Sequence, residues 1–225
     1  MRAMILAAGR GERMRPLTDT CPKPLLDVGG KKLIEYHIGA LVESGITDIV
    51  INHAYLGEQI ESYLGDGSQY GANIYYSPEV EALETGGGIF KALHLLGDDY
   101  FILVNGDVWT DYNFNQLPKK ISSLAHLVMV ANPEHNLKGD FSLAAQENNH
   151  YLSQSGETKL TYSGIGVYHP DLFSNCIEGR FPLAPLLINA MKKNQITGEF
   201  YAGKWVDVGT PERLYELDKK LRCEL

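Results

Sequence analysis

An apolar run near the start of the chain breaks abruptly into glycine and cationic side chains. Met4–Leu6 is typical of the end of a buried strand, and the sequence continues as Ala-Ala-Gly-Arg-Gly-Glu-Arg-Met-Arg-Pro. Gly9 and Gly11 can adopt positive φ and let backbone amides approach a ligand closely. Arg13 and Lys23 add fixed positive charge to this region. A strand that leads into such a loop is typical of polyphosphate binding, and it therefore indicates nucleotide chemistry.

Two common phosphate-binding loops do not fit this string. A Walker loop needs Gly-Lys followed by Ser or Thr, and no such triplet follows Gly11. A Rossmann fingerprint needs a third Gly or Ala that opens a helix, but Met14 stands there and Pro16 follows. The acidic ribose reader of a nicotinamide-dependent oxidoreductase is also absent after the second predicted strand, at residues 52–54. Residues 9–11 alone fit an ordinary solvated βα loop equally well.

Short apolar runs alternate with segments of helical periodicity through the first half of the chain. We predict strands there over Arg2–Ala8, Asp48–Asn52, Ala72–Tyr76 and Tyr100–Asn105, and helices over Leu33–Ser44, Gly57–Leu64 and Gly87–Leu96. This alternation favours right-handed βαβ units and a mostly parallel sheet covered on both faces. The second half has strands with little helix between them, so we expect the sheet to become mixed. Its predicted elements are strands over His126–Ala131, Phe141–Ala145 and Leu160–His169, and helices over Pro182–Lys193 and Pro211–Leu221.

The composition limits the class of protein. The chain has 225 residues, of which 44% are hydrophobic, and this favours one domain with a sizeable core. A net charge of −8 argues against nucleic acid as a partner. Cys21, Cys176 and Cys223 are scattered and odd in number, which favours a reducing cytosol over a disulfide framework. No stretch approaches the roughly 20 apolar residues of a membrane helix. We therefore expect a cytoplasmic protein with no membrane partner.

Two aspartates stand where α/β proteins often bind ligands. Asp107 directly follows the strand that ends at Asn105, and ligands bind outside the carboxyl ends of such strands. Asp207 stands in Trp-Val-Asp-Val-Gly-Thr, between an apolar stretch and a helix start. Two carboxylates suit Mg²⁺, which takes one or two carboxylates together with substrate phosphates. An aspartate at a strand end is more often a turn or cap residue, and the spacing does not show that the two converge.

Four strings of the sequence together resemble the sugar-1-phosphate nucleotidylyltransferases. They are Leu6–Thr18, Glu84–Gly88, Val104–Asp111 and Trp205–Thr210, and Pro-Lys-Pro around Lys23 follows the first as in that family. The resemblance covers nearly the whole chain. It implies an α/β, Rossmann-like three-layer fold of the nucleotide-diphospho-sugar transferase type, with a mostly parallel, mixed central sheet. It further implies a nucleotide-binding half over 1–111 and a sugar-binding half over 112–225.

The resemblance also implies a role for individual residues. The substrates would be a nucleoside triphosphate and a sugar 1-phosphate, and the cofactor Mg²⁺ held by Asp107 and Asp207. Lys23 would meet the α-phosphate and the sugar phosphate, and Arg13 the β- and γ-phosphates, as the two catalytic residues. The implied nucleotide site comprises Leu6, Ala7, Ala8, Gly9, Gly11, Glu12, Arg13, Lys23, Glu81, Thr85, Gly86 and Asn105. The implied sugar site comprises Asp107, Gly139, Asp140, Ser163 and Gly164.

The chain departs from the family pattern at several positions. Glu12 replaces the usual threonine of the phosphate loop, so a hydroxyl contact to phosphate is lost there. Many relatives carry a Glu-Lys-Pro tripeptide whose lysine contacts the sugar phosphate, but the stretch Gln146–Gly156 lacks it. Lys159 is a candidate substitute for that lysine, although a lysine at such a position is more often a solvated surface residue. Glu81 occupies the stretch where relatives read the base, and a carboxylate there can accept from guanine N1 and N2. Gly86–Gly88 either lets a base or sugar pack against backbone or forms a flexible connection.

Within the family, the strings narrow the resemblance to the branch that joins UTP and N-acetylmuramate 1-phosphate in cell-wall recycling. The missing Glu-Lys-Pro is consistent with a pocket opened for the 3-O-lactyl group. The lactyl carboxylate needs a cation, for which Lys138, Arg180 and Lys204 are candidates. Mannose-1-phosphate guanylyl transfer and glucose-1-phosphate uridylyl transfer remain alternatives, and a non-catalytic nucleotide-sugar sensor is an alternative of another class.

Overall fold

The computed structural model describes residues 1–146 and 149–223, so the polar stretch Gln146–Gly156 lies partly outside it. Within these ranges the strands are β1 (Arg2–Leu6), β2 (Asp27–Val28), β3 (Lys31–Lys32), β4 (Asp48–His53), β5 (Asn73–Pro78), β6 (Phe101–Asn105), β7 (Val108–Thr110), β8 (Ala125–Val130), β9 (Ser142–Gln146), β10 (Asn149–Ser153), β11 (Thr161–Tyr168), β12 (Ile196–Tyr201) and β13 (Trp205–Asp207). The α-helices are α1 (Leu33–Glu43), α2 (Gly57–Leu64), α3 (Glu84–Leu96), α4 (Ala184–Met191) and α5 (Pro211–Cys223).

Nine strands form one sheet, in the order β5-β4-β1-β6-β11-β8-β12-β10-β9. The first four run parallel to one another. Strand β11 is antiparallel to β6 and β8, β12 is parallel to β8, and β10 is antiparallel to β12 and β9. The predicted α/β architecture, with a parallel first half and a mixed second half, is confirmed.

The sheet separates two hydrophobic cores because successive side chains of a strand point to opposite faces. In β1, Ala3 and Ile5 belong to the core that α1 and α2 cover. Met4 belongs to the core beneath α3 and α4. All three side chains are completely buried. Helices thus cover both faces of the sheet, as the three-layer prediction requires.

The structure differs from the predicted elements in two respects. Strands β2, β3, β7, β10, β12 and β13 were not predicted, and β12 lies inside the main sheet between β8 and β10. Helix α3 begins at Glu84 rather than at Gly87, so the glycine triplet lies within the helix and does not precede it. The first of these differences matters for the site, because β7 and β13 pair with each other in a separate two-stranded sheet.

The buried side chain of His37 makes the stability of this fold depend on pH. Its Nε2 bonds the Val108 carbonyl oxygen at 2.8 Å, and burial lowers the pKa of His37 from 6.5 to about 4. Between these values the unfolded chain binds a proton that the folded chain does not. Stability from this residue is therefore complete above pH 6.5 and is lost as the pH falls toward 4, by roughly 3 kcal/mol.

We expect urea unfolding between pH 8 and pH 5 to show this loss in the wild-type protein. The variant His37→Gln can still donate to the Val108 carbonyl but does not titrate, so its unfolding free energy should fall less over the same range. Equal pH dependence in the two proteins would contradict the assignment to His37.

In the part of the chain that the structure describes, no helix has both the length and the apolar character needed to cross a bilayer.

Candidate active site

A cavity of about 380 Å³ opens at the carboxyl ends of the parallel strands. Leu6, Asn52 and Asn105 line it, and they stand at or next to the last positions of β1, β4 and β6. These strands are neighbours in the sheet. Ligands in open α/β sheets bind outside such strand ends, so this cavity is the candidate ligand site.

The loop after β1 forms one wall of the cavity and is folded tightly around Gly11. That glycine has a φ of 68°, and a Cβ there would lie 3.0 Å from the Thr18 side chain. Its carbonyl oxygen accepts hydrogen bonds from the Met14 amide at 2.9 Å and from the Thr18 hydroxyl at 2.8 Å. Glycine is required at this position because both the left-handed conformation and the lack of space disfavour a side chain.

Lys23 brings a nearly buried positive charge to the same wall. The residue is 7% exposed, and its Nζ donates to Asp107 Oδ2 at 2.8 Å. Arg13 also lines the cavity and is exposed to solvent. A compact ammonium group held deep in the wall and a forked guanidinium nearer to solvent are both suited to phosphate oxygens.

Strands β7 and β13 bring the two predicted metal-binding aspartates next to each other. In this pairing Asp207 lies opposite Val108, and the Val208 amide donates to the Asp107 carbonyl oxygen at 2.9 Å. Asp107 lines the cavity, whereas Asp207 does not, although its near neighbour Gly209 does. The backbones of two residues far apart in sequence are thus neighbours beside the cavity.

Each of these carboxylates already contacts a cationic side chain through its Oδ2 atom. Asp107 accepts from Lys23, and Asp207 accepts from Arg213 Nη1 at 2.8 Å and also lies 3.0 Å from His135 Nε2. Among the residues that the structure describes, no group of three or more His, Cys, Asp or Glu side chains could hold a metal ion. A metal ion here would need oxygen atoms of water or of a bound substrate to complete its coordination.

Most of the predicted nucleotide residues meet at this cavity. Those that line it are Leu6, Ala7, Ala8, Gly9, Gly11, Glu12, Arg13, Lys23, Thr85 and Asn105. Glu81 and Gly86 do not line the cavity: the Glu81 side chain is exposed, and Gly86 is buried within α3. The exposure of Glu81 leaves the predicted guanine contact without structural support.

The glycine triplet of α3 has a different environment from the one predicted. A Cβ at Gly86 would lie 2.5 Å from the Phe181 ring, and one at Gly87 would lie 2.2 Å from the Gly179 carbonyl oxygen. A Cβ at Gly88 would lie 2.6 Å from Glu79 Oε1. The three glycines therefore allow other parts of this chain to pack closely against α3, and none of them forms the cavity wall.

The predicted sugar-turn residues do not line the cavity, but one of them adjoins it. A Cβ at Gly164 would lie 2.6 Å from the side chain of Asn105, which is a lining residue. Ser163 is buried and donates to the Val128 carbonyl oxygen at 2.7 Å. Asp140 accepts from the Tyr162 amide at 2.8 Å, and Gly139 has a φ of 63°. Hydrogen bonds within the chain therefore hold these turns at the start of β11.

Sequence reasoning missed three polar residues of the cavity. Asn52 and Glu79 are buried and bonded to each other, and Glu84 lies at the start of α3 with a φ of 61°. Arg180 Nε donates to Glu84 Oε1 at 3.0 Å. A non-glycine residue in the left-handed region is strained, and such residues cluster at ligand sites. The sequence carries no local signal for Glu79, because its inward orientation depends on the hydrogen bond from its amide to the His53 carbonyl oxygen.

Comparison with known proteins identifies the family of this chain. A family model described as nucleotidyl transferase matches residues 2–224. The chain belongs to the nucleotidyl transferase family. The predicted family and enzyme class are therefore confirmed, and the cavity with Lys23 and Asp107 lies in the part of the chain that the family model covers.

Two relatives are similar to this chain in sequence, and one solved structure is similar to it in fold. The nucleotidyl transferase is 54% identical to N-acetylmuramate alpha-1-phosphate uridylyltransferase of Neisseria meningitidis serogroup B, over 96% of both chains. It is 32% identical to mannose-1-phosphate guanyltransferase of Hypocrea jecorina, over 94% of this chain and 62% of that protein. The structure of a putative glucose-1-phosphate thymidylyltransferase from Bacillus anthracis superposes with a TM-score of 0.83 over 99% and 95% of the two chains, at 21% identity.

Proposed function

We propose that this nucleotidyl transferase joins UTP and N-acetylmuramate 1-phosphate to give UDP-N-acetylmuramate and pyrophosphate. The observation that carries the proposal is the 54% identity, over 96% of both chains, to the Neisseria enzyme of that name. The guanylyl-transferring relative is only 32% identical, and the chain spans 62% of its length. Uridylyl transfer to the lactylated sugar is therefore better supported than guanylyl transfer to mannose 1-phosphate.

The reaction needs positioning and charge stabilisation rather than a covalent enzyme intermediate. An oxygen of the sugar phosphate attacks the α-phosphorus of UTP in line, the new P–O bond forms, and the bond to the β-phosphate oxygen breaks with release of pyrophosphate. Lys23 Nζ, held 2.8 Å from Asp107, would meet the α-phosphate and the sugar phosphate. Arg13, exposed at the cavity, would meet the β- and γ-phosphates. Fixed positive charges of this kind stabilise the charge that develops in the transition state.

Mg²⁺ is the proposed cofactor, and the donor set present fits it. Asp107 and Asp207 offer the hard carboxylate oxygens that Mg²⁺ prefers, and the bond between Val208 and Asp107 holds their strands together. Mg²⁺ keeps open positions for phosphate oxygens when only one or two carboxylates bind it. When bound, the ion would neutralise charge on the substrate phosphates.

The two halves of the chain would divide the substrates between them. Residues 1–111 contain the loop after β1 and most of the cavity lining, which suits the nucleotide. Residues 112–225 contain the turns at Gly139 and Gly164, and Gly164 adjoins the lining residue Asn105. We propose that the sugar binds on that side of Asn105, within one nucleotidyltransferase domain that acts in the cytoplasm during peptidoglycan recycling.

Arg180 is our candidate for contact with the lactyl carboxylate. It reaches Glu84, a residue of the cavity lining, through a single Nε bond of 3.0 Å. A guanidinium group has five N–H donors, so Arg180 keeps donors for a ligand besides the one bonded to Glu84.

Lys159, the proposed substitute for the missing lysine of Glu-Lys-Pro, has its backbone against Gly139 in the sugar turn.

The test is Mg²⁺-dependent pyrophosphate release with every combination of two nucleotides and four sugar phosphates. UTP and GTP are each paired with the 1-phosphates of N-acetylmuramic acid, N-acetylglucosamine, glucose and mannose. We expect the highest kcat/KM for UTP with N-acetylmuramate 1-phosphate.

Other outcomes of this assay would redirect the assignment. A preference for GTP with mannose 1-phosphate would overturn the proposed substrates while keeping the chemistry. No turnover with any pair, together with binding of UDP-sugars, would favour a non-catalytic sensor.

A further inference from the structure

A chain of three hydrogen bonds links the two walls of the cavity. Asn52 Oδ1 accepts from the Ala7 backbone amide at 3.0 Å, and Asn52 Nδ2 donates to Glu79 Oε1 at 2.6 Å. Glu79 Oε2 accepts from the backbone amide of Leu83 at 2.8 Å. Ala7 belongs to the loop after β1, and Leu83 directly precedes α3. We call Asn52 and Glu79, with these three bonds, the cavity bridge.

The cavity bridge contains a buried carboxylate that pairs with no cation. Glu79 is 6% exposed and Asn52 is 2% exposed. Among the residues that the structure describes, Glu79 forms hydrogen bonds to an amide side chain and to a backbone amide, but no ion pair. A buried charge is costly unless hydrogen bonds satisfy it. Packing of the core does not need a charge here, so the group points to a role in the cavity.

Helix α3 is shaped to accommodate the cavity bridge. A Cβ at Gly88 would lie 2.6 Å from Glu79 Oε1 and 2.8 Å from Asn52 Nδ2, closer than real Cβ contacts come. Glycine in the interior of a helix is less favourable than alanine. The helix thus carries an unfavourable residue at the one turn that passes over Asn52 and Glu79.

We propose that the cavity bridge is a positioning device that sets the distance between the phosphate loop and the segment Ala82–Thr85. Ala7, Ala82 and Thr85 all line the cavity, so this distance determines how well a nucleotide fits between the walls. The inference rests on the proposed function, because it takes a nucleotide as the ligand of this cavity. Asn52 and Glu79 act through the backbone at Ala7 and Leu83, and they are not assigned any contact with the reacting atoms.

Glu79→Gln breaks the cavity bridge without changing its size. Asn52 and Leu83 both donate to Glu79, and glutamine has only one oxygen, so every orientation of the two amides leaves two N–H groups facing each other. Because an unsatisfied buried donor is unfavourable, the two walls should move apart, and we expect KM for UTP to rise by roughly 10-fold. We expect kcat at saturating UTP to change much less than KM.

The double variant Asn52→Asp with Glu79→Gln restores all three hydrogen bonds with the charge moved. The new aspartate accepts from Ala7 and from the new glutamine, whose oxygen accepts from Leu83. We expect this variant to recover the KM of the wild type for UTP, whereas Asn52→Asp alone places two carboxylates together and raises KM. If the double variant keeps the high KM of Glu79→Gln, the charge at position 79 contacts the nucleotide itself and the positioning proposal is overturned. A normal KM in Glu79→Gln would also overturn it.

Two alanine variants test the cavity bridge without touching its polar atoms. Gly88→Ala displaces Glu79 and Asn52 from above, and we expect it to raise KM for UTP. Gly39→Ala is the matched control, because Gly39 is also inside an α-helix but a Cβ there meets nothing within 4 Å. It should leave KM unchanged. An equal KM in both variants would count against the proposal, whereas a wild-type protein that neither binds nor turns over UTP would count against the proposed function.

Discussion

Asp107→Asn should lower kcat by about 10²-fold or more while the protein stays folded. Asparagine keeps the size of the side chain and an oxygen that can accept from Lys23 Nζ, now 2.8 Å from Asp107 Oδ2. The substitution removes the negative charge that we assign to binding the metal ion. The Asp107 side chain is 40% exposed, so folding should change little. Steady-state kcat over a Mg²⁺ titration, together with thermal unfolding, measures both effects.

Asp48→Asn is the matched control for this experiment. Asp48 is also an aspartate at the end of a strand, but it stands at the first position of β4, away from the strand ends that line the cavity. Its Oδ1 accepts from Asn73 Nδ2 at 2.9 Å, and an asparagine can keep that bond. We expect a kcat close to that of the wild type. If Asp107→Asn also turned over normally at limiting Mg²⁺, Asp107 would have no part in metal binding.

Hydrophobic periodicity predicts best the elements that pack against segments close to them in sequence. Helix α2 has the predicted bounds Gly57–Leu64, because its apolar residues repeat at helical spacing against β4 and β5. Strand β12 was not predicted because Gly198 interrupts its pattern, and glycine weakens a strand on propensity grounds. In the structure a Cβ at Gly198 would lie 2.8 Å from the Leu127 carbonyl oxygen. The glycine therefore reflects close packing against β8, which only tertiary structure reveals.

In the active site, too, contacts between residues distant in sequence could not be predicted. The phosphate loop and Asp107 could be found from the sequence because each follows a strand end, and strand ends of a parallel sheet share one edge. Asp107 and Asp207 become neighbours through the pairing of β7 with β13. No local sequence pattern predicts that pairing. Glu79 and Glu81 are two residues apart, and the sequence alone favoured Glu81. The bond from the Glu79 amide to the His53 carbonyl oxygen extends the pairing of β5 with β4 and turns Glu79 inward.

Lys23→Met should lower kcat/KM for UTP by about 10²–10³-fold, with KM raised and kcat lowered. Methionine fills nearly the same space in the wall, where Lys23 is 7% exposed, but it removes the charge that would meet the α-phosphate and the sugar phosphate. Loss of an interaction that is made with the bound substrate and strengthened in the transition state affects both parameters. Steady-state kinetics with each substrate varied in turn, and direct measurement of UTP binding, separate the two contributions.

Lys32→Met controls for the loss of a lysine–aspartate pair as such. Lys32 Nζ lies 2.8 Å from Asp27 Oδ1, the same distance as in the pair of Lys23 with Asp107, but Lys32 does not line the active-site cavity. We expect near-normal kinetics in this variant. Lys23→Arg should remain impaired, because a planar, forked guanidinium does not replace a compact ammonium group in a buried position. Wild-type kinetics in Lys23→Met would show that the phosphates bind elsewhere, since no other nearly buried lysine lines this cavity within the described residues.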